Sequence, residues 1–298
     1  MNEYYTDYAE YLQRYFPGRK IQKISVNTGN GCPNRDGTLG TGGCIYCRND
    51  AFTPGYCFAS QDISAQIEAG RNFFRRKYPQ MDFLVYFQSY TGTYRNSVGN
   101  LRKIYTEAMA HNDVAGLIIG TRPDCLPDEL VAMLSELNSE KPVFVELGVE
   151  SLHDCTLRLI NRGHTAGQSD EAVRKLTAAG IPCGVHLILG LPGETREMML
   201  ETINRIAALP VESVKLHHLQ VLRGTPLGRM AESGEIEISH FTVDEYADLC
   251  VDIIRRLPRR IAIERFLASA PPALVVSPRW GLKNYQFTNL LLNKLREK

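Results

Sequence analysis

The sequence predicts an α/β fold: an open, partial (β/α)6 TIM barrel followed by a C-terminal α/β extension. Three observations lead there. Short apolar runs alternate six times with amphipathic helical stretches between about residues 21 and 222, the pattern of a parallel sheet. Successive runs are spaced at roughly the 30 residues that a βαβ unit needs. No glycine-rich dinucleotide fingerprint follows the first run, which favours a barrel over a doubly wound sheet.

The strands are expected at 21–28, 83–88, 116–120, 143–149, 184–189 and 214–222. Between them, Leu101, Ile104, Tyr105, Ala108 and Met109 follow helical spacing. Leu130, Met133, Leu134 and Leu137 do the same after Pro127, placed at a first helical position. Gly163 and Gly180 stand where helix C-caps are expected. Past about residue 225 the rhythm changes. Thr242 and Glu245 form a capping box for a helix with apolar face Tyr246, Leu249, Cys250, Ile253, Ile254 and Leu257. A strand at 260–266, a proline-rich crossing and a helix at 283–297 follow. The expected division is therefore 1–224 for the barrel with its N-terminal segment and 225–298 for an extension packed on it.

A chain of 298 residues, 44% of them hydrophobic, buries a large core. No run approaches the ~18 apolar residues of a membrane span, and the start, MNEYYTDYAEYLQRYF, lacks the apolar core of a signal peptide. A cytoplasmic protein without a membrane partner is expected. Its eight cysteines then serve as ligands or core thiols rather than disulfides, with Cys125, Cys155, Cys183 and Cys250 mostly core residues. A net charge of +1 gives no global attraction to nucleic acid, so such a contact must rest on local clusters.

The residues richest in chemistry are Cys32, Cys44 and Cys47 in GCPNRDGTLGTGGCIYC, between the first strand and the first long helix. Three thiolates hold three irons of a [4Fe-4S] cubane and leave the fourth iron open. Joined by Cys57, the same residues also suit a structural zinc ion. On the cysteines alone both readings stand.

Cys47 follows the aromatic Tyr46, and HLILGLPGE at 186–194 closes the fifth strand. Both features resemble the radical S-adenosylmethionine (SAM) superfamily. Seven segments in order resemble its YhcC-like branch, a group related to the catalytic subunit of Elongator and to oxygen-independent coproporphyrinogen oxidase. They are CPNRDGTLGTGGCIYC at 32–47, YFQSYTGTY at 86–94, GTRPDCLPDE at 120–129, VELGVES at 145–151, NRGH at 161–164, HLILGLPGE, and LRGTPL at 222–227. The resemblance covers most of the chain. It implies the open barrel of the radical SAM type, with Cys32, Cys44 and Cys47 as ligands of a [4Fe-4S] cluster. It implies S-adenosyl-L-methionine as the second cofactor, cleaved reductively to a 5′-deoxyadenosyl radical, and an electron donor such as flavodoxin or ferredoxin.

The resemblance also implies roles for individual residues. Tyr46, the segment from His186 to Gly190, and backbone groups from Leu219 onward lie near adenine. Gln88, Ser89 and Thr91 receive the methionine amino group, since each accepts a hydrogen bond from an ammonium. Glu150 and Ser151 are the ribose and carboxylate contacts. Arg162 pairs with the methionine carboxylate, its alternative being a cation at a helix C-terminus. Arg122 or Asp124 faces substrate, and His217 is expected as a hydrogen-bonded core histidine. No side chain is singled out as catalytic.

Kinship with Elongator suggests transfer RNA, modified at an anticodon uridine. Arg71, Arg75, Arg76 and Lys77, and separately Arg255, Arg256, Arg259 and Arg260, are candidate phosphate contacts. A small-molecule or tetrapyrrole substrate is the alternative if the barrel mouth is narrow and apolar. A non-enzymatic zinc-binding scaffold is the alternative of another class.

Overall fold

The computed structural model describes residues 2–75 and 80–297. Its framework is a parallel sheet of seven strands: β1 (Ile21–Val26), β2 (Asp82–Phe87), β3 (Val114–Thr121), β4 (Val143–Glu150), β5 (Cys183–Leu189), β6 (Ser213–His218) and, after a short β7 (Val221–Leu222), β8 (Ala262–Arg265). Order in the sheet is β1-β2-β3-β4-β5-β6-β8, and every pairing is parallel. The short α1 (Tyr8–Leu12) precedes β1, and α2 (Ile63–Arg75) to α7 (Arg196–Ala208) connect the strands. The remaining elements are α8 (Pro226–Glu232), α9 (Val243–Arg256), β9 (Val275–Ser277) and α10 (Asn284–Glu297). Among the described residues, no helix is long and apolar enough to cross a membrane.

Two expectations shift. The strand read at 260–266 does not stand apart in the extension; β8 extends the sheet beside β6, with Ser213 opposite Ala262. The run read as one strand at 214–222 is two. β6 stops at His218, and Val221 and Leu222 turn away to pair antiparallel with β9, burying Leu222 against Ala51 and Val275. The capping box of Thr242 and Glu245 forms as expected, and Gly180 follows α6 (Ala166–Ala178) with φ +72°.

Strand alternation sorts side chains onto two faces. Along β2, Phe83, Val85 and Phe87 join the outer core under the helices, whereas Leu84 and Tyr86 point into the lumen. At the N-terminal ends of the strands the lumen is filled by Leu84, Ala115, Phe144 and Ala262, plugged by Tyr11, Leu12 and Phe16 of the N-terminal segment. Tyr15 meets Phe144 edge-on at 4.8 Å between centroids.

Above this apolar plug lies a layer of charge. Lys23 of β1 bonds Glu146 of β4 at 2.8 Å and Glu264 of β8 at 2.7 Å. Lys215 of β6 bonds the same two carboxylates at 3.1 and 2.8 Å. Tyr86 donates to Glu146 at 2.7 Å, and His186 of β5 meets it at 2.7 Å. The edge strands β1 and β8 share no ladder, so Lys23 reaching Glu264 joins the two rims of a sheet that curls without closing.

Burial alone would raise the Glu146 carboxyl, but Lys215, Lys23 and His186 outweigh it and hold it well below the ordinary range. A depressed folded-state pKa contributes stability above the unfolded value and loses it as pH falls through the folded one. The fold should therefore weaken on acidification below about pH 4 through this group. Glu146→Gln, which leaves two ammonium groups sharing the single carboxylate of Glu264, should cost about 3–5 kcal/mol in urea unfolding and flatten that acid limb. Wild-type stability in the variant would remove the layer from the account.

Candidate active site

The loop after β1 carries the three cysteines and is anchored by its own backbone and by the segment following α5 (Asp154–Leu159). Cys47 N–H donates to Cys44 O at 3.0 Å, and Arg35 N–H to Cys32 O at 2.9 Å. Ile45 N–H donates to Ile160 O at 3.1 Å, and the Asn161 side chain to Gly43 O at 2.8 Å. Asn34 Nδ2 donates to Asn161 O and lies 3.7 Å from the Cys44 sulfur. Arg162 Nη1 sits at 3.7 Å from that sulfur, with Nη2 on the Gly148 carbonyl. NRGH at 161–164 is thus the dock that fixes the cysteine loop.

Cys32, Cys44 and Cys47 line one cavity of about 270 Å³ at the C-terminal ends of the strands. Burial, then the Cys44 thiol, push the Cys47 thiol up to about 12, while Arg35 and Arg162 pull the other way. Three thiols lining one cavity, with the cationic Arg162 donating to the Cys44 sulfur, suit thiolates neutralised by iron. Among the described residues, no three His, Cys, Asp or Glu side chains converge on a single-ion position. A cubane, each of whose irons meets its own thiolate, asks for no such convergence. Cys57 lies outside the cavity, its buried thiol donating to Ser25 O at 2.7 Å.

The end of β4 is bent into the site. Register shifts between Gly148 and Glu150, and Glu150 takes φ +67°, a left-handed conformation that costs a non-glycine residue and marks functional positions. Its carboxylate thereby lies 3.5 Å from Arg162 Nη2. A Cβ on Gly148 would meet Arg162 Nη2 at 2.6 Å and Glu150 Oε1 at 2.9 Å, so any larger residue would push these two side-chain ends aside. Arg162 keeps a buried Nε without a partner, and so does Nη1 of Arg122, whose other nitrogens clamp Asp124 at 2.8 Å.

Of the residues expected near the cofactor, Tyr46, Gln88, Thr91, Glu150, Arg162, His186 and Leu219 line this cavity. Ser89 is buried beside it without lining it. Ser151 donates its hydroxyl to Glu194, and Gly190 lines a separate cavity of about 240 Å³ with Glu194, Met199 and Phe241. Gln88 is partly spent, accepting from Ser25 at 3.2 Å. Burial, reinforced by Lys215, lowers the pKa of His186 against the pull of Glu146, so its Nε2–H donates to that carboxylate from a neutral ring. His217, expected in the core, also faces the cavity. Tyr86, Glu146, Lys215 and Arg265 line it too and were not singled out by sequence. Their signal is a lone polar residue inside an apolar strand, as in FVELGV and SVKLHH.

A cysteine loop facing the open lumen of a curled parallel sheet, beside a strained carboxylate and a buried arginine, defines a radical SAM site. The chain belongs to that superfamily: its family model matches residues 26–206, and the Radical_SAM C-terminal domain matches 211–297. This sets aside the zinc-scaffold reading; the chain is a radical SAM enzyme using a [4Fe-4S] cluster and S-adenosylmethionine.

It is similar to YtqA of Bacillus subtilis, with 34% identity over 97% of this chain and 88% of that one. It is similar also to YhcC of Escherichia coli K12, with 33% identity over 91% and 85%. A tRNA uridine(34) acetyltransferase of Methanocaldococcus infernus shares 27% identity over 64% of this chain and 35% of its own length. The structure of the archaeal Methanocaldococcus infernus Elp3 superposes with TM-score 0.69 at 17% identity, over 94% of this chain and 63% of that one, a likeness of fold.

Replacing Cys44 by Ala leaves a cubane two thiolates, and anaerobic iron and sulfide analysis should find the cluster lost. Cys57→Ala should keep its full iron content. The reverse pattern would overturn the ligand assignment. Gly148→Ala should fold yet bind the cofactors at least tenfold more weakly, read by titration with S-adenosylmethionine, because Arg162 and Glu150 must move.

Proposed function

We propose that the chain modifies transfer RNA at an anticodon uridine. What carries the reading from cofactor chemistry to RNA is the stretch of 195 residues shared with a tRNA uridine(34) acetyltransferase. The rim adds support. Exposed Arg35 lies over the ring of Tyr90 at 5.8 Å, and Tyr90, 42% exposed, has its N–H held by Asn49 at 2.9 Å. A guanidinium and an aromatic face at the mouth of a cavity suit a phosphate and an extruded base. The mouth sets Arg35, Arg48 and Asn49 beside Phe52 and Tyr90, a mix that suits a substrate both charged and aromatic.

The expected basic clusters do little of this work. Arg71 and Arg75 both bond Asp113, at 2.6 and 2.7 Å, while Arg76 and Lys77 lie outside the described residues. Arg259 donates to the carbonyls of Asn2 and Glu3, and Arg260 to those of Ala207, Leu209 and Val211. The cavity rim then supplies RNA contacts beside the exposed Arg255 and Arg256.

When bound, the cluster and S-adenosylmethionine supply a 5′-deoxyadenosyl radical that takes hydrogen from an unactivated carbon. The chain's own part is to hold and shield. Arg162 donates to the Cys44 sulfur and steadies Glu150, which suits ribose hydroxyls. Thr91 and the free lone pair of Gln88 Oε1 suit the methionine ammonium, and Tyr46 walls the cavity near adenine. Burial and the neighbouring Lys215 keep His186 neutral, and the Glu146 contact fixes its orientation. Flavodoxin or ferredoxin suits the role of electron donor.

Anaerobically reconstituted protein should release 5′-deoxyadenosine at least tenfold faster when extracted transfer RNA is added. Nucleoside mass spectrometry of a deletion strain should show one anticodon uridine altered. An unchanged nucleoside profile, with no stimulation by RNA, would contradict the reading.

A further inference from the structure

The lumen carries one more positive charge than its charged layer balances. Lys23 and Lys215 are matched by Glu146 and Glu264. Arg265, the next residue on β8, has no carboxylate within ion-pairing distance among the described residues. Its Nη2 donates to His217 Nδ1 at 3.1 Å, and its Nε is buried without a partner. Burial and then Arg265 hold the His217 ring well below its ordinary pKa, so the imidazole accepts that bond without neutralising the guanidinium. Both residues line the cavity shared with the cysteines, alongside the apolar Ala268 and Leu222. A guanidinium desolvated this way, and lacking a counter-charge, is costly in the free protein and gains most from an anion. Its planar fork matches the two oxygens of a carboxylate or phosphate.

We propose that Arg265, held in place by His217, is an anion subsite that seats a carboxylate or phosphate group of the substrate inside the cavity. This rests on the reading that the substrate enters the cavity from the rim, and it adds that the substrate is charged where it is gripped. Arg162 and Arg122 are already committed, the first to Gly148 O and the Cys44 sulfur and the second to Asp124, and Arg35 is exposed at the rim, which leaves Arg265 as the least committed guanidinium inside the cavity among the described residues.

Two measurements on the reconstituted holoenzyme test it, with Arg265→Gln removing the charge and Arg265→Lys keeping it. In thermal unfolding, inorganic phosphate or acetate should raise the Tm of the wild type and of Arg265→Lys by several degrees, and that of Arg265→Gln by less than one. Protection by phosphate alone marks a phosphate subsite, and protection by acetate marks a carboxylate one. In turnover, Arg265→Gln should lose apparent affinity for RNA at least tenfold more than for S-adenosylmethionine. Equal protection of all three proteins overturns the subsite. So does a loss confined to S-adenosylmethionine, which would give the arginine to the cofactor's own carboxylate. Should anions protect only through Arg265 while RNA stimulates no variant, the subsite stands and the RNA reading falls.

Discussion

Four buried charges on four strands govern this molecule. Lys23, Glu146, Lys215 and Glu264 come from β1, β4, β6 and β8, and apart from the Lys215–Glu264 pair on neighbouring strands their ion pairs cross the lumen between strands that share no ladder. Hydrogen bonding in the sheet fixes neighbours but not overall curvature. A sheet that curls far enough for Lys23 to reach Glu264 can satisfy all four charges; a flatter one would leave them desolvated and apart, at a cost of several kcal/mol each. The layer therefore selects the curled geometry, and it also divides the lumen. Below it lies the aromatic plug of the N-terminal segment, and above it the polar cavity.

That division sets what the upper cavity can do. The cysteine loop is not held by the sheet; it is held by Asn34, Asn161 and Arg162, through contacts that run from loop backbone to NRGH and on to the Cys44 sulfur. The same arginine steadies Glu150, whose left-handed backbone is a strain that the β4 bulge and Gly148 make tolerable. Cys44 and the strained carboxylate are thereby coupled through one guanidinium. The opposite wall, from β5 to β8, presents His186, Lys215, His217 and Arg265, groups with no part in holding the cysteines.

The fold was legible because period-two and helical patterns survive in each βα unit, and the meeting of Cys32, Cys44 and Cys47 at one cavity was legible because they share one short loop. Lys23, Glu146 and Lys215 were harder. Each is one charge in an apolar strand, and its ion-pair partners of the layer lie on strands 49 to 241 positions away, so no local window pairs them. Ser151 and Gly190 share motifs with cavity residues but point elsewhere, since strand ends and turns send adjacent side chains to different faces. The basic runs were legible only in part, for a related reason. An arginine run looks free in sequence, whereas Arg71, Arg75, Arg259 and Arg260 are spent on Asp113 and on chain carbonyls.

The central claim is that three cysteines present an iron corner that the protein leaves for S-adenosylmethionine. Electron paramagnetic resonance of reduced, oxygen-free protein, recorded before and after that cofactor is added, addresses it most directly. The account predicts a [4Fe-4S] signal that changes shape on addition, because the cofactor completes the coordination of the fourth iron. A signal indifferent to S-adenosylmethionine, or a metal centre ligated by protein at every corner, would contradict it.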